Sequence, residues 1–530
     1  SAVYEYRHGV IDAHLPGDER PLPPEFALQD PADYLRTLEH TIPAVLAEAG
    51  VAPSEVIGLG VACTACTLVP TTADGTPLCA LPEFAREPHA WVKLWKHHAA
   101  QPEAVRMKEV ASARNEAFLR RYGGNISPEW FFPKAWQILA EAPAVYAAAA
   151  RLIEAGDWVV WQLTGTESRG ACAAGYKAMW DKESGYPSPA FLEALDPRLG
   201  GIVAEKMQGR ILPAGACAGR LTEAMAQRLG LAPGTAVAAA LIDAHASVPA
   251  AAVTEPHRMV LVMGTSGCHL VMSAAEREIE GVCGVVADGI LPGFYGYEAG
   301  QAALGDLFGW FVERATPAAY AEEARRRGID VHQLLTERAA ALRPGESGLL
   351  ALDWWNGNRS ILGDAELSGL IVGYTLGTEP EAVYRSLIEA TAFGTVMIID
   401  AFEAGGVPIE ALHACGGLPD RNPLLMQIYA DVTGRPIRVA ATRYASALGA
   451  AIAAAVAAGE AAGGYADLAG AAARMARLQE RAYRPDPGSQ RVYGELYEEY
   501  RALHDAFGRR GRALMHRLRR MRAEAWQKGV

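Results

Sequence analysis

Three short stretches carry residue types and spacings suited to moving a charged group. Asp243 stands where the apolar run Val237–Ile242 ends and Ala244-His245-Ala246-Ser247 opens a helical segment. A carboxylate is costly in apolar surroundings unless it is paired or chemically employed. As a general base it would take the proton of an attacking hydroxyl, and as a helix N-cap it would serve structure alone. Gly264-Thr265-Ser266-Gly267 joins two β-rich runs. Its glycines let backbone amides approach an anion and its hydroxyls add donors, although a plain hairpin turn has the same composition. Gly416-Gly417-Leu418-Pro419-Asp420-Arg421-Asn422-Pro423 precedes a helix. There the absence of side chains leaves room for a flat ring against the backbone, or meets only the backbone angles of a strand-to-helix loop.

Other chemistries lack their signatures. The sequence has no GxxxxGK[ST] phosphate loop and no HExxH. Gly58-Leu59-Gly60 begins like a dinucleotide fingerprint, but Cys63 occupies the place of the third glycine. Gly264–Cys268 misses the final glycine of a nucleophile elbow. Cys63 and Cys66 have CxxC spacing without a second ligand pair, which reads as two small buried residues.

The elements that must position these stretches alternate between strand and helix. Val56–Val61 reads as a buried strand, and Asp30–Ala49 as a helix capped by Asp30 with Pro31 at its first position. Thr72–Thr76 reads as a turn about Asp74-Gly75. Val237–Ile242, Met259–Met263, His269–Met272 and Leu412–Cys415 read as strands, and Glu381–Phe402 and Leu424–Thr433 as helices. The basic tail from Arg509 reads as a solvated helix face or, alternatively, a contact surface for another subunit or an acidic ligand. Alternation in both halves predicts two α/β domains with a cleft between them, divided at Thr254–Arg258.

Half of the 530 residues are hydrophobic, so the chain can bury the cores of two to three domains. A formal net charge of −12 weighs against nucleic acid as main partner. No signal-peptide pattern is seen, and no apolar run reaches the roughly 20 residues of a membrane helix. Eight scattered cysteines suit reduced thiols in the cytoplasm. A homodimer is the ordinary expectation for an oligomer.

The order of Asp243, the Gly264–Gly267 turn and the Gly416-Gly417 turn resembles the FGGY carbohydrate kinases. So do Thr64-Ala65-Cys66-Thr67, His89–His98, Ala174-Gly175-Tyr176-Lys177, Gly296–Gln301, Leu352–Ser360 and Ala414–Asn422. The resemblance implies two actin-like, ribonuclease-H-type α/β domains with an interdomain cleft. A sugar-binding domain would span 1–253, an ATP-binding domain 254–490 and a helical extension 491–530. It implies ATP-dependent phosphorylation of L-ribulose, in L-arabinose catabolism, with ATP and Mg²⁺ as cofactors and no assigned metal ligand. Another ketopentose or a polyol is the alternative substrate, and a non-catalytic sugar- or nucleotide-binding protein the alternative class. By resemblance Asp243 is the catalytic base, and Ala65, Lys177, Asp243 and Glu298 contact the sugar. Gly264, Thr265 and Ser266 face the ATP phosphates, with Gly416, Gly417 and Asn422 beside the adenosine. Without the resemblance, Lys177 and Glu298 read as an ordinary surface ion pair. It further implies an Asp-x-Gly-Thr strand-turn-strand ahead of Ser1, and an aspartate where this chain has Ala62.

Overall fold

Asp30 accepts the Ala32 amide through its side chain, and Pro31 supplies the first residue of helix α1 (Pro31–Ala49), as the sequence predicts. The computed structural model describes residues 1–527, so the last three residues of the expected C-terminal extension lie outside the described part. In the first half, β1 (Leu28–Gln29) precedes α1. Of the strand expected over Val56–Val61 only β2 (Gly58–Leu59) forms, and β3 (Ala62–Cys63) follows just beyond it. β4 (Leu68–Thr71), β5 (Val92–Lys93) and β6 (Arg151–Glu154) join β1 in one sheet of order β1-β5-β4-β6. Helix α2 (Ala171–Ala178) follows. The run expected as one strand over Val237–Ile242 breaks at Ala239-Ala240 into β7 (Ala236–Ala238) and β8 (Leu241–Ile242). β7 pairs parallel with β2, and β8 parallel with β3, so helix α3 (Asp243–Ala250) starts beside the loop that leaves β3.

The second half centres on one seven-stranded sheet. β9 (Arg258–Met263), β10 (Gly267–Ser273), β11 (Gly284–Ala287) and β12 (Tyr295–Gln301) form its antiparallel part. Helix α4 (Pro380–Ala404) leads to β13 (Ala411–Cys415), helix α5 (Pro423–Thr433) and β14 (Ile437–Ala440). Helix α6 (Ala445–Ala458), β15 (Leu478–Tyr483), α7 (Pro487–His504) and α8 (Arg512–Gln527) complete it. The sheet order is β11-β12-β10-β9-β13-β14-β15, with β9, β13 and β14 parallel.

Helix α4 runs through the core of this half and is long and apolar enough to span a membrane, but 94% of its apolar window is buried inside the protein. The sequence reading placed this helix at Glu381–Phe402, within two residues of its observed ends, although Arg385 and Glu389 interrupt its apolar letters. Both are buried and paired with each other at 2.8 Å. The basic tail is a mostly exposed helix, as the solvated-face reading expects, and it is also anchored to its own chain. Met515 is buried, His516 Nε2 lies 2.8 Å from Asp364, and Arg519 donates to the Ala365 carbonyl.

The two halves meet where α6 lies against β2, β3 and α3. Ideal Cβ atoms built on Gly58, Gly60 and Gly449 would stand 2.5, 2.0 and 1.7 Å from the carbonyl oxygens of Ala454, Ala450 and Ala246. These are backbone-to-backbone contacts that even a methyl group disrupts. Gly449→Ala is expected to cost roughly 3 kcal/mol, the upper part of the overpacking range, because both partners are main chain. Denaturant melts of the two proteins check this.

Candidate active site

Asp243 is the first residue of α3 and lies at the carboxyl end of β8. The helix N-cap is Ile242, so Asp243 is not the cap. Its Oδ1 accepts the Ala244 amide at 2.8 Å, and no hydrogen bond to Oδ2 is present among the described residues. Burial raises its pKa, with Glu298 adding to the rise and the Ala244 amide opposing it. Parallel pairing of β8 with β3 sets Thr64 and Ala65 beside it. These loops leave the carboxyl ends of parallel strands, where open α/β sheets bind ligands.

Lys177 on α2 and Glu298 on β12 meet beside this point, 121 residues apart in sequence, with Nζ 3.0 and 2.8 Å from the two carboxylate oxygens. Their side chains are 7% and 8% exposed, which overturns the surface-pair reading. Burial works against both charges. Attraction and hydrogen bonding within the pair, together with other neighbouring groups, outweigh it, so Lys177 is held above and Glu298 below its ordinary pKa. His245, two residues after the aspartate, faces Glu298 with Nε2 3.5 Å away. Burial lowers its pKa to about 4, which keeps it a neutral imidazole, tilted 45° against the Tyr176 ring with centroids 4.2 Å apart. Neither imidazole nitrogen has a hydrogen-bond partner. Sequence reasoning quoted His245 only as part of a motif and gave it no role.

The loop carrying Ala65 is fixed from below. Cys66 has a φ of 58°, and its carbonyl accepts Lys134 Nζ at 2.6 Å, while Glu154 accepts the Thr67 amide at 2.9 Å. Lys134 is fully buried, and burial brings its pKa down to about 8. Neither Lys134 nor Glu154 was singled out by sequence reasoning, since each sits inside an apolar helix or strand with no local signature.

The two glycine turns occupy the carboxyl ends of the neighbouring parallel strands β9 and β13, where Val262 pairs with Cys415. Gly264 spends its amide on the Ser266 carbonyl at 3.0 Å. The Gly264 and Thr265 carbonyls accept the amides of Gly305 and Leu304 at 3.0 and 2.8 Å. The hydroxyls of Thr265 and Ser266 have no partner among the described residues, and both residues reach solvent. Gly416 has a φ of 104°, and its ideal Cβ would lie 2.5 Å from the Met263 carbonyl, so only glycine lets the two turns lie side by side. Open space stands over Gly417. Asn422 follows these glycines at the start of α5. It is buried, caps α5 by accepting the Leu425 amide at 3.0 Å, and donates to Thr336 at 3.4 Å.

The family models for "FGGY family of carbohydrate kinases" match residues 17–249 with the N-terminal domain and 259–458 with the C-terminal domain. Ribulokinases of Geobacillus thermodenitrificans and Anoxybacillus flavithermus are each 54% identical over 523 residues, covering 99% of this chain and 93% of their own. A ribulokinase of Mycolicibacterium smegmatis is 51% identical over 526 residues, covering 99% of this chain and 92% of its own. Among solved structures, a xylulose kinase from Rhodospirillum rubrum superposes with a TM-score of 0.73 at 24% identity, covering 94% of each chain. Glycerol kinase from Plasmodium falciparum with ADP gives 0.70 at 14% identity, covering 91% of this chain and 90% of its own. At these identities the structural likeness speaks for the fold, a two-domain α/β architecture.

Proposed function

The chain belongs to the FGGY family of carbohydrate kinases, and from that premise we propose that it transfers the γ-phosphoryl group of ATP to ribulose. The observation that carries this reading is the buried Lys177–Glu298 pair set beside Asp243, facing the end of the sheet that bears the two glycine turns. A buried ion pair with spare donors and acceptors suits the hydroxyls of an open-chain sugar. Lys177 donates to sugar oxygens, Glu298 accepts from hydroxyls, and the small Ala65 leaves space beside them. Asp243 Oδ2 takes the proton from the attacking terminal hydroxyl, and the raised pKa improves its match to that task. Thr265 and Ser266 offer hydroxyl donors to the phosphates, while Gly416 and Gly417 leave a side-chain-free shelf for the nucleoside.

Magnesium accompanying ATP fits the oxygen donors beside the phosphates, the hydroxyls of Thr265 and Ser266, directly or through water. When bound it neutralises phosphate charge. The division between the sugar-binding and nucleotide-binding halves at Thr254–Arg258 is part of the same reading and lies between the two matched stretches. Eight free cysteines support a reducing, cytoplasmic setting. A homodimer, offered on symmetry grounds, is checked by light scattering.

Finer specificity, L-ribulose over other pentuloses and pentitols, rests on the curated ribulokinases that the chain resembles. Coupled ADP release with Mg-ATP across a panel of both sugar classes tests it. The expected result is a kcat/KM for L-ribulose at least about tenfold above every other sugar. A higher value for another pentulose reassigns the substrate. Ligand-induced melting shifts without ADP release from the full-length protein replace the kinase reading with a binding protein.

A further inference from the structure

The guanidinium of Arg359, a half-buried cation beside this cleft, makes no hydrogen bond or ion pair among the described residues. Its backbone is held firmly. The Ser360 amide donates to the Gly300 carbonyl at 3.0 Å, and the Gly300 amide donates to Ser360 Oγ at 3.1 Å. Asn358 and Asp364 exchange two backbone hydrogen bonds of 2.9 and 2.8 Å, closing the loop that follows. Asp364 is in turn held by His516 of α8. The side chain lies over Gly300: an ideal Cβ there would stand 3.2 Å from Arg359 Cδ and 3.4 Å from Nη1. The same point is 2.7 Å from the Gly267 carbonyl, the last residue of the Gly264–Gly267 turn.

Register fixes what flanks the guanidinium. Glu298 and Gly300 are two apart on β12 and share one face. They pair with Leu270 and Cys268 of β10, the latter immediately after the turn. Along that face the order is therefore Glu298, then Arg359 over Gly300, then the glycine turn. Two carboxylates, Glu129 more than Glu298, favour its charge without lying within ion-pair distance. A cation left without a bonded partner on a rigid loop is an expensive arrangement unless an anion completes it. A neutral sugar supplies no such anion, whereas the group that travels from turn to sugar carries its charge on three oxygens.

We propose that Arg359 is a catalytic residue, its guanidinium placed to hold the γ-phosphoryl oxygens as that group passes from the Gly264–Ser266 turn to the sugar beside Glu298. The proposal rests on the kinase reading above. In the step, the bond between the sugar oxygen and the γ-phosphorus forms and that to the β,γ-bridging oxygen breaks. The hydroxyl proton goes to Asp243, ADP leaves, and Arg359 stays protonated throughout. Its planar fork suits two phosphoryl oxygens at once, which a lysine ammonium does not reproduce.

The test uses full-length wild type, Arg359→Met and Arg359→Lys, with ADP release measured alongside ribulose binding by calorimetry without nucleotide. The expected result is a kcat lower by roughly 10²- to 10³-fold in Arg359→Met, with partial recovery in Arg359→Lys and ribulose Kd within about threefold of wild type. A kcat within about threefold of wild type overturns the proposal, as does a loss that appears wholly in ribulose Kd. If Arg359→Met does not fold, Arg359→Lys decides: a drop of about tenfold or more in kcat supports the role, and a smaller one removes it. Wild type that releases no ADP with any pentulose or pentitol defeats the kinase reading itself, an outcome distinct from an active wild type with equally active variants.

Discussion

Replacing Asp243 by Asn is expected to lower kcat roughly 10²- to 10⁴-fold, the range spanned by positioned general bases, while ribulose affinity changes little. The amide keeps the shape and can still accept the Ala244 amide that Asp243 accepts at 2.8 Å, so the helix start survives. It cannot take a proton. Removing a carboxylate whose charged form is penalised by burial should leave the melting temperature unchanged or raise it. The base works deprotonated, so wild-type activity falls as pH drops through a pKa above the ordinary 3.8, and that acid limb disappears from the residual activity of the variant. Steady-state rates across pH, with melting curves on the same samples, check both statements. A variant that retains wild-type kcat would remove Asp243 from the chemistry.

Lys177→Met should be the most destabilising single change in the site, costing about 3–5 kcal/mol, because it leaves the Glu298 carboxylate buried without its partner. Sugar affinity falls with it. Lys177→Met combined with Glu298→Gln is expected to recover most of the stability and none of the affinity, since the penalty lies in the orphaned charge. Additive losses in that double-mutant cycle would mean the two residues do not act as a pair. The pH window follows from the two directions of shift. Glu298 is lowered from 4.5, so its contribution is present above that value and lost as pH falls through the folded pKa. Lys177 is raised from 10.5, so its contribution is complete below that value and lost as pH rises through the folded pKa. Both report one interaction and are counted once.

Much of the site was legible where one element both ends and changes character. Asp243 and the two glycine turns stand at the carboxyl ends of apolar runs, and local pattern alone places them at a ligand-binding edge. Local pattern could not join Lys177 to Glu298, because a helix and a strand far apart in sequence bring them together. Only the ordered resemblance of longer motifs pointed there. It was silent about Arg359, whose importance depends on lying over a glycine and having no partner, both properties of the folded chain. The misread strands have a physical reason too. Val56–Val61 looks like a continuous buried strand, but Gly58 and Gly60 are pressed against the main chain of α6, and regular pairing is divided there. The Asp30-Pro31 start of α1 was legible because capping is decided by neighbours in sequence.

That same pressed seam has a thermal consequence. Where α6 meets Gly58, Gly60 and Ala246, the facing residues are alanine and glycine, which have no rotamers to freeze. At these points joining the surfaces therefore orders little side chain, although Ser446 and Ser247 link hydroxyls across the α6–α3 contact at 3.1 Å, and dispersion between closely spaced backbone atoms supplies attraction. The entropy lost or regained by any rearrangement above the seam arises in the cleft, from its long Lys177, Glu298 and Arg359 side chains and whatever binds them.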